Sequence, residues 1–92
     1  MVELNYSNGE CSLSQACRAI HIKYSGAIII NDKTSENFVF IVNNKEIIIF
    51  PLGGGLLLDL FTYTGEFKIL SAVAIDENKN FIPVTVQAHT DI

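Results

Sequence analysis

Between Phe38 and Phe50 the chain writes Phe-Val-Phe-Ile-Val and Glu-Ile-Ile-Ile-Phe on either side of Asn43-Asn44-Lys45. Both runs consist of β-branched and aromatic residues, which suit a pleated backbone. The Asn-Asn pair between them tolerates the positive φ of a tight turn, so the segment predicts a β-hairpin. Its apolar residues are consecutive rather than alternating, which leaves neither face of the hairpin for water. A single open sheet cannot cover both faces. The hairpin therefore demands a second layer.

Other segments repeat the strand signature. After Ile20 the period is two, with Ile22 and Tyr24 alternating with His21 and Lys23. "VELNY" at 2–6 precedes a Ser7-Asn8-Gly9 turn, and "LLLDLFTY" at 56–63 and "EFKILSAVAI" at 66–75 read as two further strands. "DENKN" then turns the chain into "FIPVTVQA" at 81–88, where Pro83 cannot donate to a ladder and so predicts an edge strand or a bulge. One segment reads differently. In "CSLSQACRAI", Ser12 can cap a helix and Gln15 can close a capping box, with Leu13, Ala16, Cys17 and Ile20 forming one apolar stripe at helical spacing. The expected fold is mainly β: a small antiparallel β-sandwich or partly open barrel of about seven strands with one short N-terminal helix. It forms one domain over residues 1–92, with 85–92 expected as a flexible tail.

Tyr24-Ser25-Gly26 returns as Tyr63-Thr64-Gly65, and an apolar strand follows each. A glycine inside a strand pattern marks a bulge or a bend. Tyr24, Gly26, Tyr63 and Gly65 are accordingly read as structural corners where a strand crosses between layers, each ring covering its bend. The alternative is a duplicated ligand loop.

Charge is scarce. Charged residues make up 17% of the chain and hydrophobic ones 49%, against about 25% charged in an average domain. A domain of this length buries only roughly 60–65% of its unfolded surface. Much apolar surface must then stay outside, and large exposed apolar patches mark interfaces. Assembly with copies of itself is the expected consequence. The residues predicted to make contact are Phe38, Phe40, Ile48, Phe50, Pro51, Leu52, Leu56 and Leu57, from the exposed half of the hairpin and the loop after it.

Other classes find little support. The net charge is −4 and the six basic residues are scattered singly, so no footprint for nucleic acid is present. "MVELNYSNGE" has neither a basic n-region nor an apolar h-region, which predicts a cytoplasmic start, and no apolar run reaches the length of a membrane helix. "PLGGGLLL" at 51–58 is rich in glycine, but no Lys-Ser, Lys-Thr or G-x-G-x-x-G accompanies it, so it reads as a connection. Cys11, Cys17, His21 and His89 lack the paired spacing of a zinc site. Cys17 is expected to pack as a small apolar residue and His21 to face solvent. No motif sets a nucleophile beside a base, so neither catalysis nor a cofactor is expected.

"SLSQACRAIHIKYSG", "IIIFPLGGGLLLDLFTYTGEFKI" and "LSAVAIDENKN" together resemble small β-rich structural proteins encoded among the head and tail genes of tailed bacteriophages. The resemblance spans residues 10–80 and follows the order short helix, strand ending in Tyr-Ser/Thr-Gly, hairpin, and Leu-Phe-x-Tyr-x-Gly-x-Phe-x-Ile. It implies a non-enzymatic subunit of the virion, head or tail, present in the host cytoplasm before assembly. Its implied partners are other virion proteins and itself, without nucleic acid, membrane or a small-molecule substrate. The alternative is a small cytoplasmic ligand-binding or regulatory domain that uses the Gly53–Gly55 loop.

Overall fold

The structure is a computed structural model that describes residues 2–7, 9–34 and 37–88. Its strands in chain order are β1 (Val2–Ser7), β2 (Glu10–Cys17), β3 (Ala19–Asp32), β4 (Phe38–Asn43), β5 (Glu46–Pro51), β6 (Leu57–Ile75) and β7 (Phe81–Ala88). They form one sheet in the order β2-β1-β7-β6-β3-β5-β4, and a further pairing of β2 with β6 brings the wall round on itself. All pairings are antiparallel except β1 with β7. The result is a nearly closed, barrel-like sheet of nine strands. Seven continuous stretches supply them, because the 14-residue β3 and the 19-residue β6 are each long enough to serve two parts of the wall. The expected count of about seven short strands is thus corrected.

β6 closes the barrel by changing partners. On one side it pairs with β3 from Phe61 to Ile75; on the other its first residues, Leu57 to Thr62, take β2 and its last three residues take β7. β7 makes a similar exchange, pairing with β6 over residues 81–83 and with β1 from Val84 onward. Pro83 stands where one partner gives way to the next, so its missing N–H interrupts no continuous ladder. The expected tail at 85–92 is corrected over residues 85–88, which pair with β1; His89 and the three residues after it lie outside the described residues.

No described residue is helical, and the segment predicted as an N-terminal helix is β2 followed by the start of β3. The cause is a bulge. Ser12 stands opposite Asp59 and Cys17 opposite Leu57, so four residues of β2 are accommodated where β6 spends only Leu58. Cys11 and Leu13 point inward at the strand period, Ser14 and Gln15 are both exposed within the bulge, and Cys17 points inward again. Leu13 and Cys17 are four residues apart, two full strand periods as well as one helical turn, so they share the inner face here while the exposed Gln15 between them leaves the spacing of a helix face. Ser14 has a role in the ladder: its Oγ accepts the Glu3 N–H at 2.8 Å.

The core fills the barrel. Phe61, Leu4, Ile22, Ile47, Ile49, Leu57, Leu60 and Cys17 are its largest fully buried side chains. Phe40 and Phe61 meet edge to face at 6.1 Å between centroids, and Phe61 meets Tyr63 at 6.2 Å, the offset geometry that ring quadrupoles favour.

The predicted hairpin forms, with its turn one residue later than the Asn-Asn pair suggested. Asn43 pairs with Glu46, and the two residues between them, Asn44 and Lys45, have φ of 51° and 64°. Two consecutive left-handed residues make a type I′ turn. Lys45 donates from Nζ to the Gly26 carbonyl and lies over the Tyr24 ring.

The two Tyr-x-Gly motifs lie on the paired strands β3 and β6. Tyr24 stands opposite Ile69, Gly26 opposite Phe67, Ile28 opposite Gly65 and Ile30 opposite Tyr63. A shift of 39 residues carries Tyr24 to Tyr63, Gly26 to Gly65 and Ile30 to Ile69, so this ladder repeats itself about a local two-fold at the Ala27–Glu66 pair. Gly26 and Gly65 have φ of 109° and 112°, a conformation L side chains avoid. Both strands therefore bend together, on either side of that axis.

Candidate functional site

The described residues gather no group of three His, Cys, Asp or Glu side chains of the kind that holds a metal. Cys17 is fully buried in the core, whereas His21 is on the outside of β3, where its Nε2 lies 2.8 Å from Glu46 Oε1. The two are therefore on opposite faces of the wall. Cys11 and Cys17 are both free thiols, and burial pushes the Cys11 thiol up to about 12. Burial also raises Cys17, with the Asp76 carboxylate acting in the same direction. Neither thiol is a nucleophile near neutrality, since the thiolate is the reactive form.

The glycine-rich loop spans the exit from β5 to β6. Gly53 and Gly54 have open space where a side chain would be, and Gly55 lies against the Phe38 ring. Beside it a groove of about 260 Å³ is lined by Lys33, Thr34, Phe38, Leu56, Leu57, Leu58 and Asp59. That is smaller than the roughly 300–1,000 Å³ of ordinary ligand pockets.

The outer face of the sheet is the most distinctive surface. The cross-strand registers line up Ile41, Ile48, His21, Val73 and Pro83 in one row over β4, β5, β3, β6 and β7. Five strands at their usual spacing make this row roughly 19 Å wide. Val39 pairs with Phe50 and Ile75 with Phe81 beside it. Ile41, Ile48, Phe50, Val73 and Phe81 are all exposed, Phe81 at 77%. The His21–Glu46 pair joins this field to its polar border, since Glu46 belongs to the next row, Asn43, Glu46, Lys23 and Ser71. Both side chains are about two-fifths exposed, so the pair contributes little to stability.

Of the residues predicted to make contact, Ile48, Phe50, Leu52 and Leu56 are exposed, and Pro51 is half-buried. Phe38 and Phe40 turn inward and pack on the core, and Leu57 is a core residue at 2% exposure. The prediction combined the two faces of one hairpin. Cross-strand partners share a face, and Phe40 pairs with Ile49 while Ile48 pairs with Ile41. Phe40 and Ile48 therefore cannot be on the same side. Placing the turn at Asn44-Lys45 would have shown this from sequence. Ile41 was overlooked for that reason, and Val73 and Phe81 because their neighbours in the row come from distant parts of the chain.

β4 is the last strand of the sheet and among the described residues pairs with β5 alone. It has no Lys, Pro or inward charge of the kind that guards natural edges. Fold and surface together define a small barrel-like β-domain with a broad apolar outer face and an unguarded edge at β4. Comparison with protein-family models, curated proteins and solved structures returns no match to this chain.

Proposed function

We propose that the chain is a non-enzymatic structural or accessory subunit that assembles through the outer face of β4, β5, β3, β6 and β7 and through the edge at β4. The observation that carries this reading is the set Ile41, Ile48 and Val73, apolar residues held outward on either side of His21 on a sheet whose inner face is already filled. Contiguous apolar surface on a small domain marks a contact. The resemblance to head and tail proteins of tailed bacteriophages extends the reading to a virion subunit with other virion proteins as partners. The short helix in that pattern is a strand in this chain, so the resemblance is carried by the Tyr-x-Gly strands and the hairpin alone.

Sedimentation velocity across a concentration series tests the assembly reading. Association is expected in the wild type, and Ile48→Lys with Phe50→Lys is expected to shift the population to monomer without loss of folding. A wild type that stays monomeric at every concentration would overturn it. Recovery of the protein at fixed copy number in purified phage particles tests the virion extension. The rival reading, a ligand domain built on Gly53–Gly55, draws on the groove beside Phe38, whose volume is small for such a role.

A further inference from the structure

We propose that β4 pairs with β4 of a second copy of this chain, antiparallel and two-fold symmetric about Phe40, so that the sheet continues unbroken across a dimer. The inference rests on the assembly reading above and supplies its partner and register. It follows from the hydrogen-bond phase of the hairpin. A two-residue type I′ turn makes Asn43 and Glu46 a hydrogen-bonded pair, and bonded and non-bonded pairs alternate from there. Ile41 with Ile48 and Val39 with Phe50 are then bonded, whereas Val42, Phe40 and Phe38 turn their N–H and C=O away from β5. Two bonds confirm the phase. Leu52 N–H donates to the Asn37 carbonyl at 2.7 Å, and Tyr24 N–H donates to the Lys45 carbonyl at 3.0 Å. Pro51, which has no N–H, stands opposite Phe38 where none is needed for β4.

The open edge thus presents three donors and three acceptors at Phe38, Phe40 and Val42, spaced evenly with Phe40 at the centre. An antiparallel strand with the same phase satisfies all six, and β4 has that phase by identity. The pairing sets Phe40 on Phe40 and Phe38 on Val42 of the second copy. Charge points to the same occupant. The chain carries a net charge of −4, yet β4 has no ionised side chain, nor do the exposed Ile48 and Phe50 on the neighbouring strand. The two-fold therefore brings no like charges together, and Asn43 of one copy meets Asn37 of the other. It also sets Val39 beside Ile41 of the second copy, which joins the two apolar outer faces into one of double width. Six residues on each side make a smaller contact than the about 1,600 Å² of a standard interface, so the dimer is reversible.

Cysteine cross-linking reads this register. Val39 and Ile41 of the second copy form a non-hydrogen-bonded pair, with Cα atoms about 4.5 Å apart and within disulfide reach. Val39→Cys and Ile41→Cys proteins are oxidised separately and as a mixture; the buried native thiols stay out of the reaction. A cross-linked dimer in the mixture and in neither protein alone is expected. Cross-linking in either protein alone overturns the register and leaves assembly standing. Dimers by sedimentation with no cross-link overturn edge pairing, and monomers throughout overturn both readings. Amide exchange gives a second readout in the unmodified protein. Protection at Phe38, Phe40 and Val42 is expected to rise with concentration while Val39 and Ile41 stay constant; rates independent of concentration where dimers form would overturn the proposal.

Discussion

At the residue scale, the two cysteines show how burial decides chemistry. Cys11 points into the barrel with 2% of its surface exposed, and its thiol is pushed up to about 12 from 9.0. A folded-state value above the unfolded one contributes stability that is complete below pH 9.0 and declines as pH rises toward 12. The slope from one such group is up to about 1.4 kcal/mol per pH unit. Denaturant midpoints measured from pH 8 to 11 should therefore fall more steeply for the wild type than for Cys11→Ala. Cys17 and Tyr63 are raised as well, chiefly by burial, and keep part of the slope in both proteins. Equal slopes would show that the Cys11 thiol is hydrated. Gly9 illustrates a second residue-level constraint: at φ of 80° a Cβ would stand 2.9 Å from the Tyr63 carbonyl oxygen. Gly9→Ala is expected to cost about 1–3 kcal/mol through strain and the shifted contact, read as a lowered thermal midpoint.

At the element scale the informative features are turns, bends and bulges. Lys45 occupies the second left-handed position of a type I′ turn, where glycine is the favoured residue. Lys45→Gly relieves about 1 kcal/mol of left-handed strain and gives up an exposed contact to Gly26, so a modest net rise in melting temperature is expected. A fall would mean that the Lys45 contacts with Gly26 and Tyr24 outweigh the backbone. Gly26 and Gly65 bend neighbouring strands about one local axis. Gly26→Val and Gly65→Val should each destabilise by about 1–3 kcal/mol, and the double variant should depart from additivity because the bends share a ladder. Strict additivity would indicate two independent bends. The hairpin was legible in the sequence because every signal for it is local: β-branched runs, a polar turn, and a length that fits. The β2 strand was not. Its bulge is imposed by the Leu57–Asp59 segment of β6, some forty residues away, and by turning Gln15 outward it leaves Leu13 and Cys17 at a spacing that a helix stripe shares.

At the scale of the whole molecule, the strands that exchange partners close the wall. β7 links β6 to β1, and without it the parallel ladder on β1 and the antiparallel one on Val73–Ile75 would both be lost, leaving the end of β6 paired with β3 alone. A chain ending at Asn80 is accordingly expected to lose cooperative unfolding in circular dichroism melts; a sharp transition would show that the β2–β6 seam alone holds the barrel. The same closure accounts for the surface. Once the interior is filled by the core side chains of β1, β2, β3, β5 and β6, with Phe38 and Phe40 of β4 and Ile82, Val84 and Val86 of β7 packed against them, the apolar residues on the opposite faces of β4, β5, β6 and β7 have only the outside available.

The sequence by itself determined that this chain is β-rich, that residues 38–50 form a hairpin, that glycine follows tyrosine at two comparable points, and that apolar residues outnumber what a small interior holds. These are properties of periodicity, turn chemistry and composition, which act over a few residues or over none. Only the tertiary structure decided which face of each strand is inside, where the bulges fall, and that Ile41, Ile48 and Val73 share one row. Strand parity is two-valued, and a bulge anywhere in the ladder reverses it, so the choice is made by partners distant in the chain and not by the residues that display it.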